Sequence, residues 1–484
     1  MQCLASPATT LLLVPLIIGG LSGCGSSPLD LPAGKTDVCG YSVAEDLDPD
    51  LTIVEVNLEA ASVDWDPGNG IPIRGIGFNG RVPGPAIQAN VGDTVVIHFT
   101  NRLTEETTIH WHGLRIPSSM DGTHVVQHPV APGSTFEYRF TVPDAGFFWY
   151  HPHMNTTGQI EGGLYAPLIV RDPAEPAVAC DQVLMFDDVL IDEEGQLEPE
   201  STDPMAAMNG RLGNLLLVNG IGNKRLAVDA GTWQLWRLVN SANTRYFDLE
   251  VEGHRMQVVG SDGGYLQTPY EVDRLLLVPG ERYLVLMQAV GEPGRSYAVR
   301  THPVALHSSS SSGGHSHHDM GGEDPLGAEA QTLMWLDYSE AALADAPVPV
   351  LPTVSIPDWT PGEEVLHHWV LEESDMDSTI DGETWPDVPL LQFEMGGPAT
   401  FEIENRSTMH HPMHFHGLRF QVVARDGNVV SEPAWKDTVD VPPESTLTVV
   451  MELDNPGNWL YHCNILEHEE AGMMGEMEIV APAP

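Results

Sequence analysis

The chain has 484 residues with 47 Gly, 39 Pro and 42% hydrophobic residues, the composition of a folded, turn-rich protein of about three domains at ~100–200 residues each. Acidic residues outnumber basic ones 69 to 21, for a formal net charge of −48. Such a surface repels nucleic acid and draws in cations, so no nucleic-acid partner is expected, and solubility or a salty habitat accounts for the charge before any substrate does.

The first 24 residues, MQCLASPATTLLLVPLIIGGLSGC, hold an apolar run at 11–20 that is short for a bilayer span and leads into Leu21-Ser22-Gly23-Cys24. That tetrapeptide resembles a bacterial lipobox, which implies cleavage before Cys24 and a lipid on its sulfur. The segment departs from the usual signal in having no Lys or Arg ahead of the apolar run. Gly25 follows the cysteine, which favours the outer membrane as anchor, and residues 25–50 read as a linker. The expectation is an exported, periplasmic or cell-surface protein held to the membrane through Cys24. Of the five cysteines, Cys3 leaves with the signal, and Cys39 and Cys180 remain as the economical disulfide pair for an exported protein.

From residue 51 the chain alternates apolar and polar residues in short stretches broken by Pro, Gly, Asn and Asp. TVVIHFTN (94–101), STFEYRFTVP (134–143) and LYAPLIVRDP (164–173) are examples. Strands at this spacing predict an all-β protein of β-sandwiches. A first domain spans 51–173, and PAEPAVACDQ (173–182) marks a junction. A second domain spans 180–346 and contains WQLWRLVNSA (233–242) and DRLLLVPGERYLVLMQ (273–288). Proline-rich PVPVLPTVSIP (347–357) leads into a third domain over 352–484. GDTVVIHFTNRL (92–103) precedes HWHG, and ATFEIENRST (399–408) precedes HPMHFHG. Each is a strand ending in Asn before a histidine motif, as duplicated sandwiches would give. The low-complexity segment 307–325 interrupts the pattern, and its His315, His317, His318 and Met320 are either loose copper ligands or part of a loop without fixed geometry.

Nine of the 21 histidines fall in four motifs: His110 and His112; His151 and His153; His411, His414 and His416; His462 and His468. On a strand, residues i and i+2 share a face about 6.6–6.8 Å apart, so each His-x-His offers two imidazoles to one pocket. In His462-Cys463-Asn464 the same rule turns Cys463 to one side and its neighbours to the other. A metal on the sulfur is then joined through backbone to a metal on the opposite face. One thiolate, two imidazoles and a weak thioether describe a blue-copper centre, supplied by Cys463, His468 and Met473 from one loop with His411 to close the set. The remaining imidazoles, without a second thiolate, favour further copper over zinc.

These residues, together with FNGRVPGPAI (78–87), GFFWYHPH (146–153), SDGG (261–264) and WKDTV (435–439), resemble the three-domain multicopper oxidases, which include laccases and bacterial cuprous oxidases. The resemblance covers about residues 51–482 and implies three cupredoxin-like Greek-key β-sandwiches with a trinuclear copper cluster between the first and third. It implies that His411, Cys463, His468 and Met473 hold type 1 copper and that His110 and His414 hold type 2. It further implies that His112, His151, His153, His416 and His462 hold the type 3 pair, up to four ions in all. The activity so implied is one-electron oxidation of Cu(I) or a phenolic reductant coupled to four-electron reduction of O2 to water.

Asp121 and Glu469 stand where bacterial members of the family keep proton-relay carboxylates. Met473 as axial ligand implies a moderate potential. Met409 resembles a methionine that contacts substrate Cu(I); packing beside the type 1 site is the alternative. The chain departs from the family at Asn464, where His-Cys-His is the rule. An amide oxygen is a harder and weaker donor to copper than imidazole. A weakened but working type 3 site, a copper-depleted cluster that still passes electrons, and a change confined to the sequence at hand all stay open. An electron-transfer or copper-binding protein of the same fold is the rival to an oxidase.

Overall fold

The structure is a computed structural model; it describes residues 38–198, 206–308, 324–340, 346–374, 377–430 and 433–482. Strands form three pairs of sheets: two of four strands, then one of six with one of five, then again six with five. The chain is all-β, three cupredoxin-like sandwiches in sequence. Among the described residues the helices are few and short: α1 (Thr156–Glu161), α2 (Ala206–Asn209) and α3 (Leu466–Glu470), with one further turn at Ser118–Met120. None of the described helices is long and apolar enough to cross a membrane.

Alternation decides which face each strand buries. In Ile53–Trp65 the side chains of Val54, Val56, Leu58 and Ala60 turn inward while their neighbours stay half-buried or exposed. They meet Ile87, Ala89, Trp111 and Leu168 of the facing sheet in the first core. The same pairing recurs three times. Ile53–Trp65 runs parallel to Thr94–Asn101, Cys180–Val189 to Trp233–Asn240, and Val365–Ser374 to Pro398–Asn405. A second parallel pair closes the other sheet of each sandwich, as in Leu391–Glu394 with Met474–Val480.

The asparagine that ends a strand in the first and third sandwiches is a corner device, and it occurs in all three. Asn101 donates its amide to the carbonyls of Glu105 and Val130 and accepts the N–H of Leu103. Asn240 does the same with Arg245, Leu277 and Ala242. Asn405 does so with Met409, Val441 and Ser407. Each corner satisfies three buried backbone groups of a tight reversal, and in the first and third sandwiches the chain emerging from it becomes a histidine strand, His110–His112 or His411–Phe415.

Cys39 and Cys180 are disulfide-bonded with Cα atoms 5.7 Å apart. Their pairing ties the segment ahead of the first sandwich to the first strand of the second. Cys24 and the histidines of 307–325 beyond His307 lie outside the described residues.

Candidate metal centre

The third sandwich brings His411, Cys463 and His468 together. His411 opens the strand His411–Phe415, and Cys463 ends the adjacent strand Gly457–Cys463, with Met413 opposite the cysteine in register. The Cys463 Sγ lies 3.6 Å from His411 Nδ1 and 3.6 Å from His468 Nδ1. Both outer nitrogens are held by protein: Ser407 Oγ lies 2.9 Å from His411 Nε2, and His468 Nε2 donates to the Met208 carbonyl at 3.1 Å. Each imidazole is thereby held with Nδ1 toward the sulfur. Met473 is buried in the same core, and its backbone bonds to both His468 and Cys463. Burial pushes the Cys463 thiol up and lowers His468 to about 4. A neutral thiol facing two neutral imidazoles is poised to exchange its proton for a soft metal.

On the far side of the strand lies a nest of imidazoles at the seam of the first and third sandwiches, and in each but His153 one nitrogen is hydrogen-bonded to protein while the other faces inward. His110 Nδ1 donates to the Asp121 carbonyl and His414 Nδ1 to the Asp437 carbonyl. The Nε2 atoms of both, and of His153, are buried with no hydrogen-bond partner among the described residues. His416 Nδ1 bonds Asp121 and His462 Nδ1 bonds the Cys463 carbonyl, leaving their bare Nε2 atoms 2.9 Å apart. Two lone pairs at that distance ask for a shared cation. His151 Nδ1 donates to the Pro152 carbonyl, and its Nε2 stands 3.4 Å from His112 Nδ1. Burial holds His112, His151, His153 and His416 well below histidine's usual range, and lowers His462 to about 3. All are neutral donors at ordinary pH, the state that a metal requires.

The donor set therefore fits copper: inward nitrogens lie close together in His153, His416 and His462, in His110, His414 and His416, and in His110, His112 and His151. With His110 given to type 2 copper, as the family resemblance implies, His112 and His151 are left to share an ion with residue 464. Asn464 is 2% exposed and is fixed by its N–H to the Pro412 carbonyl at 2.6 Å. A Cβ placed on Gly280 would lie 2.6 Å from Asn464 Nδ2 and 3.1 Å from His112 Cε1, so the amide and the imidazole sit side by side against that glycine. By that resemblance residue 464 is the third position, and it carries an amide in place of a nitrogen base.

Two carboxylates adjoin the nest in opposite states. Burial works to raise the Asp121 carboxyl, but the imidazoles of His416, at 2.9 Å, and His110, at 3.3 Å, outweigh it and hold Asp121 below the usual range. Burial pushes Glu469 up to about 8, against the donated bond of Thr156 Oγ1 at 2.9 Å. Glu469 oxygens lie 3.4 Å from His462 Nδ1 and 3.6 Å from His153 Nδ1. One carboxyl stays ionised and its counterpart keeps a proton at neutral pH.

Sequence reasoning did not single out Asp437, whose carboxylate shares a donor group with His112 and His414. It also missed Ser407 and Met208 on the imidazoles of His411 and His468, although WKDTV had marked the neighbourhood of Asp437. Met409 is 1% exposed, within the third core.

Comparison with known proteins bears on the same residues. Residues 59–175, 168–318 and 359–482 each match a multicopper oxidase family model. The multicopper oxidase MmcO of Mycobacterium tuberculosis is 33% identical over 435 residues, covering 83% of this chain and 82% of its own. The chain belongs to the multicopper oxidases. A multicopper oxidase of Campylobacter jejuni described as a metallo-oxidase superposes with a TM-score of 0.78 at 25% identity, over 93% of this chain and 96% of that one. Another, from Pseudomonas thermotolerans, gives 0.75 at 29%, over 88% and 99%. This multicopper oxidase is accordingly a copper-dependent oxidoreductase with O2 as acceptor, and copper of types 1, 2 and 3 is its cofactor.

Proposed function

We propose that the reductant is Cu(I) in preference to a phenol, and that the enzyme works with a weakened type 3 site. Support for Cu(I) comes from how the type 1 residues are covered. Ser407 and Met208 occupy the outer nitrogens of His411 and His468, and both imidazoles are fully buried, which leaves no ring edge for an aromatic substrate to meet. The observation that carries the reading is the bridge between His307 and Met409. The N–H of Ser308 bonds the Thr408 carbonyl at 2.7 Å and that of His410 bonds the Leu306 carbonyl at 3.0 Å. A half-buried imidazole, at the start of the histidine-rich segment, thus flanks the residues that lead into the strand opened by His411. The Glu373 carboxylate accepts bonds from the Thr408 N–H and hydroxyl beside it. We read this imidazole and carboxylate, which interact electrostatically, as an entrance suited to a small cation, next to the buried Met409.

Copper supplies the one-electron chemistry and the site of O2 reduction; the chain holds the donors, excludes water from them and keeps a proton on Glu469 and a negative charge on Asp121. Oxygen uptake with Cu(I) and with 2,6-dimethoxyphenol tests the preference. Replacing both entrance groups (His307→Ala with Glu373→Gln) should lower kcat/KM for Cu(I) by about tenfold or more and leave the phenol unaffected; equal effects on both would sink the assignment.

The weakened type 3 site follows from Asn464. Restoring the imidazole, Asn464→His, is expected to tighten copper binding at that position by about 10–100-fold and to raise the near-ultraviolet absorption of the bridged pair. A parent already fully loaded, with no gain in the variant, would refute it. For localisation, we infer export with a lipid anchor on Cys24. The apolar run at 11–20, the Leu-Ser-Gly-Cys sequence and the Cys39–Cys180 disulfide of an oxidising compartment support this.

A further inference from the structure

The metal nest is built by the first and third sandwiches, yet its most heavily bonded neighbour comes from the second. Arg282 is fully buried, and all five of its side-chain donors are used. Nε donates to the Phe147 carbonyl of the first sandwich, and the terminal nitrogens donate to the carbonyls of Gly280 and Asp262 and, at 2.6 Å each, to the two oxygens of Asp437 in the third. Asp262 completes the frame by accepting the backbone N–H groups of Arg282, Asp437 and Thr438. The ion pair leaves no room for a side chain at residue 113. Gly113 has φ +88°, and a Cβ there would come 2.3 Å from Arg282 Nη2 and 2.6 Å from Asp437 Oδ2. This accounts for the glycine that follows His112.

From Asp437 the bonding runs straight to two inward-facing histidines. Thr438 Oγ1 donates to Asp437 Oδ1 at 2.8 Å, and His112 Nε2 donates to Thr438 Oγ1 at 3.0 Å. His414 Nδ1 bonds the Asp437 carbonyl and lies 3.5 Å from its carboxylate. With Nε2 protonated, His112 presents Nδ1 to the nest beside His151; with Nδ1 protonated, His414 presents Nε2. A carboxylate behind an imidazole both selects the tautomer and strengthens the donor. His112 needs that strength more than its neighbours, because Asn464 is its weak companion.

We propose that the Arg282–Asp437 pair, acting through Thr438, is the positioning device that sets the copper-binding tautomers of His112 and His414, and that it compensates for the imidazole missing at residue 464. Arg282, Asp437 and Thr438 are positioning residues; they act through the histidines. The proposal rests on the assignment of the nest as copper sites, and a parent protein that took up copper at the blue site alone would remove that foundation before any variant is made.

The test is copper titration of the metal-free protein, with the blue absorption reporting type 1 and the near-ultraviolet band and type 2 paramagnetic signal reporting the nest. Thr438→Val and Asp437→Asn should each weaken copper binding in the nest by about 10–100-fold and leave the blue site loaded as in the parent. Arg282→Lys should fall between, since an ammonium keeps the charge without the paired fork. Asn464→His placed in the Asp437→Asn background should recover much of the lost binding, a coupling that a merely structural role would not produce. Unchanged nest occupancy in both Thr438→Val and Asp437→Asn would overturn the proposal, as would loss of the blue site in parallel, or no recovery with Asn464→His. Should Asp437→Asn fail to fold, Thr438→Val decides, because it removes one hydroxyl from a site of unchanged shape.

Discussion

Replacing the sulfur, Cys463→Ser, is expected to abolish the intense blue colour, to lower the copper content by one ion per chain, and to reduce oxidation of either reductant to background. The hydroxyl of serine does not ionise in this setting, whereas the thiol gives up its proton to a soft metal despite the burial that pushes its pKa up. The substitution should spare the fold. Cys463 is fully buried with Ile465 N–H 3.5 Å from its sulfur, so a hydroxyl there has a donor to meet, and the expected cost is about 1–3 kcal/mol. Copper content and absorption, measured beside the thermal melting of the metal-free protein, check this. Blue colour persisting in the variant would overturn the assignment of the type 1 site.

The second large effect concerns the proton. Burial raises Glu469 to about 8, so at neutral pH its carboxyl carries a proton within reach of His462 and His153. Glu469→Gln keeps the shape and removes the transferable proton. O2 reduction should fall by about 10²–10⁴-fold, while reduction of the blue site by substrate proceeds at the parental rate. The colour then bleaches normally and returns slowly in air. The sign of the pH dependence follows from the raised pKa: the protonated form is lost as pH rises through about 8, so parental turnover should decline across that interval and the variant's residual turnover should not. Stopped-flow bleaching and reoxidation across pH 6–9 separate the two steps; equal slowing of both would show that Glu469 acts on the structure and not on the proton.

Much of this site was legible because strand geometry is local. Alternation along Gly457–Cys463 is enough to put Cys463 on one face and His462 on the other, and His110 and His112 share one strand as their spacing predicts. His153 and His416 each stand just past the end of the strand that carries His151 or His414. The parts that escaped are those where partners meet from distant segments. Arg282 and Asp437 are 155 residues apart, and nothing local to either announces that they share one wall of the nest. Met208 reaches His468 across 260 residues through a backbone carbonyl, a group that every residue type carries and that leaves no mark in a sequence. The third asparagine corner, at Asn240, was overlooked for a simpler reason: no histidine motif follows it, so its likeness to Asn101 and Asn405 shows only in its hydrogen bonds. Met409 could be placed near the type 1 site from its position, but only packing reveals that its thioether is covered.

The asparagine corners have one further implication. In all three sandwiches the residue two places after the asparagine returns its N–H to the amide oxygen; that residue is Leu103, Ala242 and Ser407 in turn. Only the serine has a hydroxyl, and it rests on His411 Nε2. Three copies of one chain-reversing bend thus carry an isobutyl, a methyl and a hydroxymethyl group at the decisive place, and only the hydroxymethyl of Ser407 adds a contact with His411 to the reversal of the chain. The bend thus supports one histidine, while the sulfur and the second imidazole of that cluster come from Cys463 and His468 elsewhere in the same sandwich.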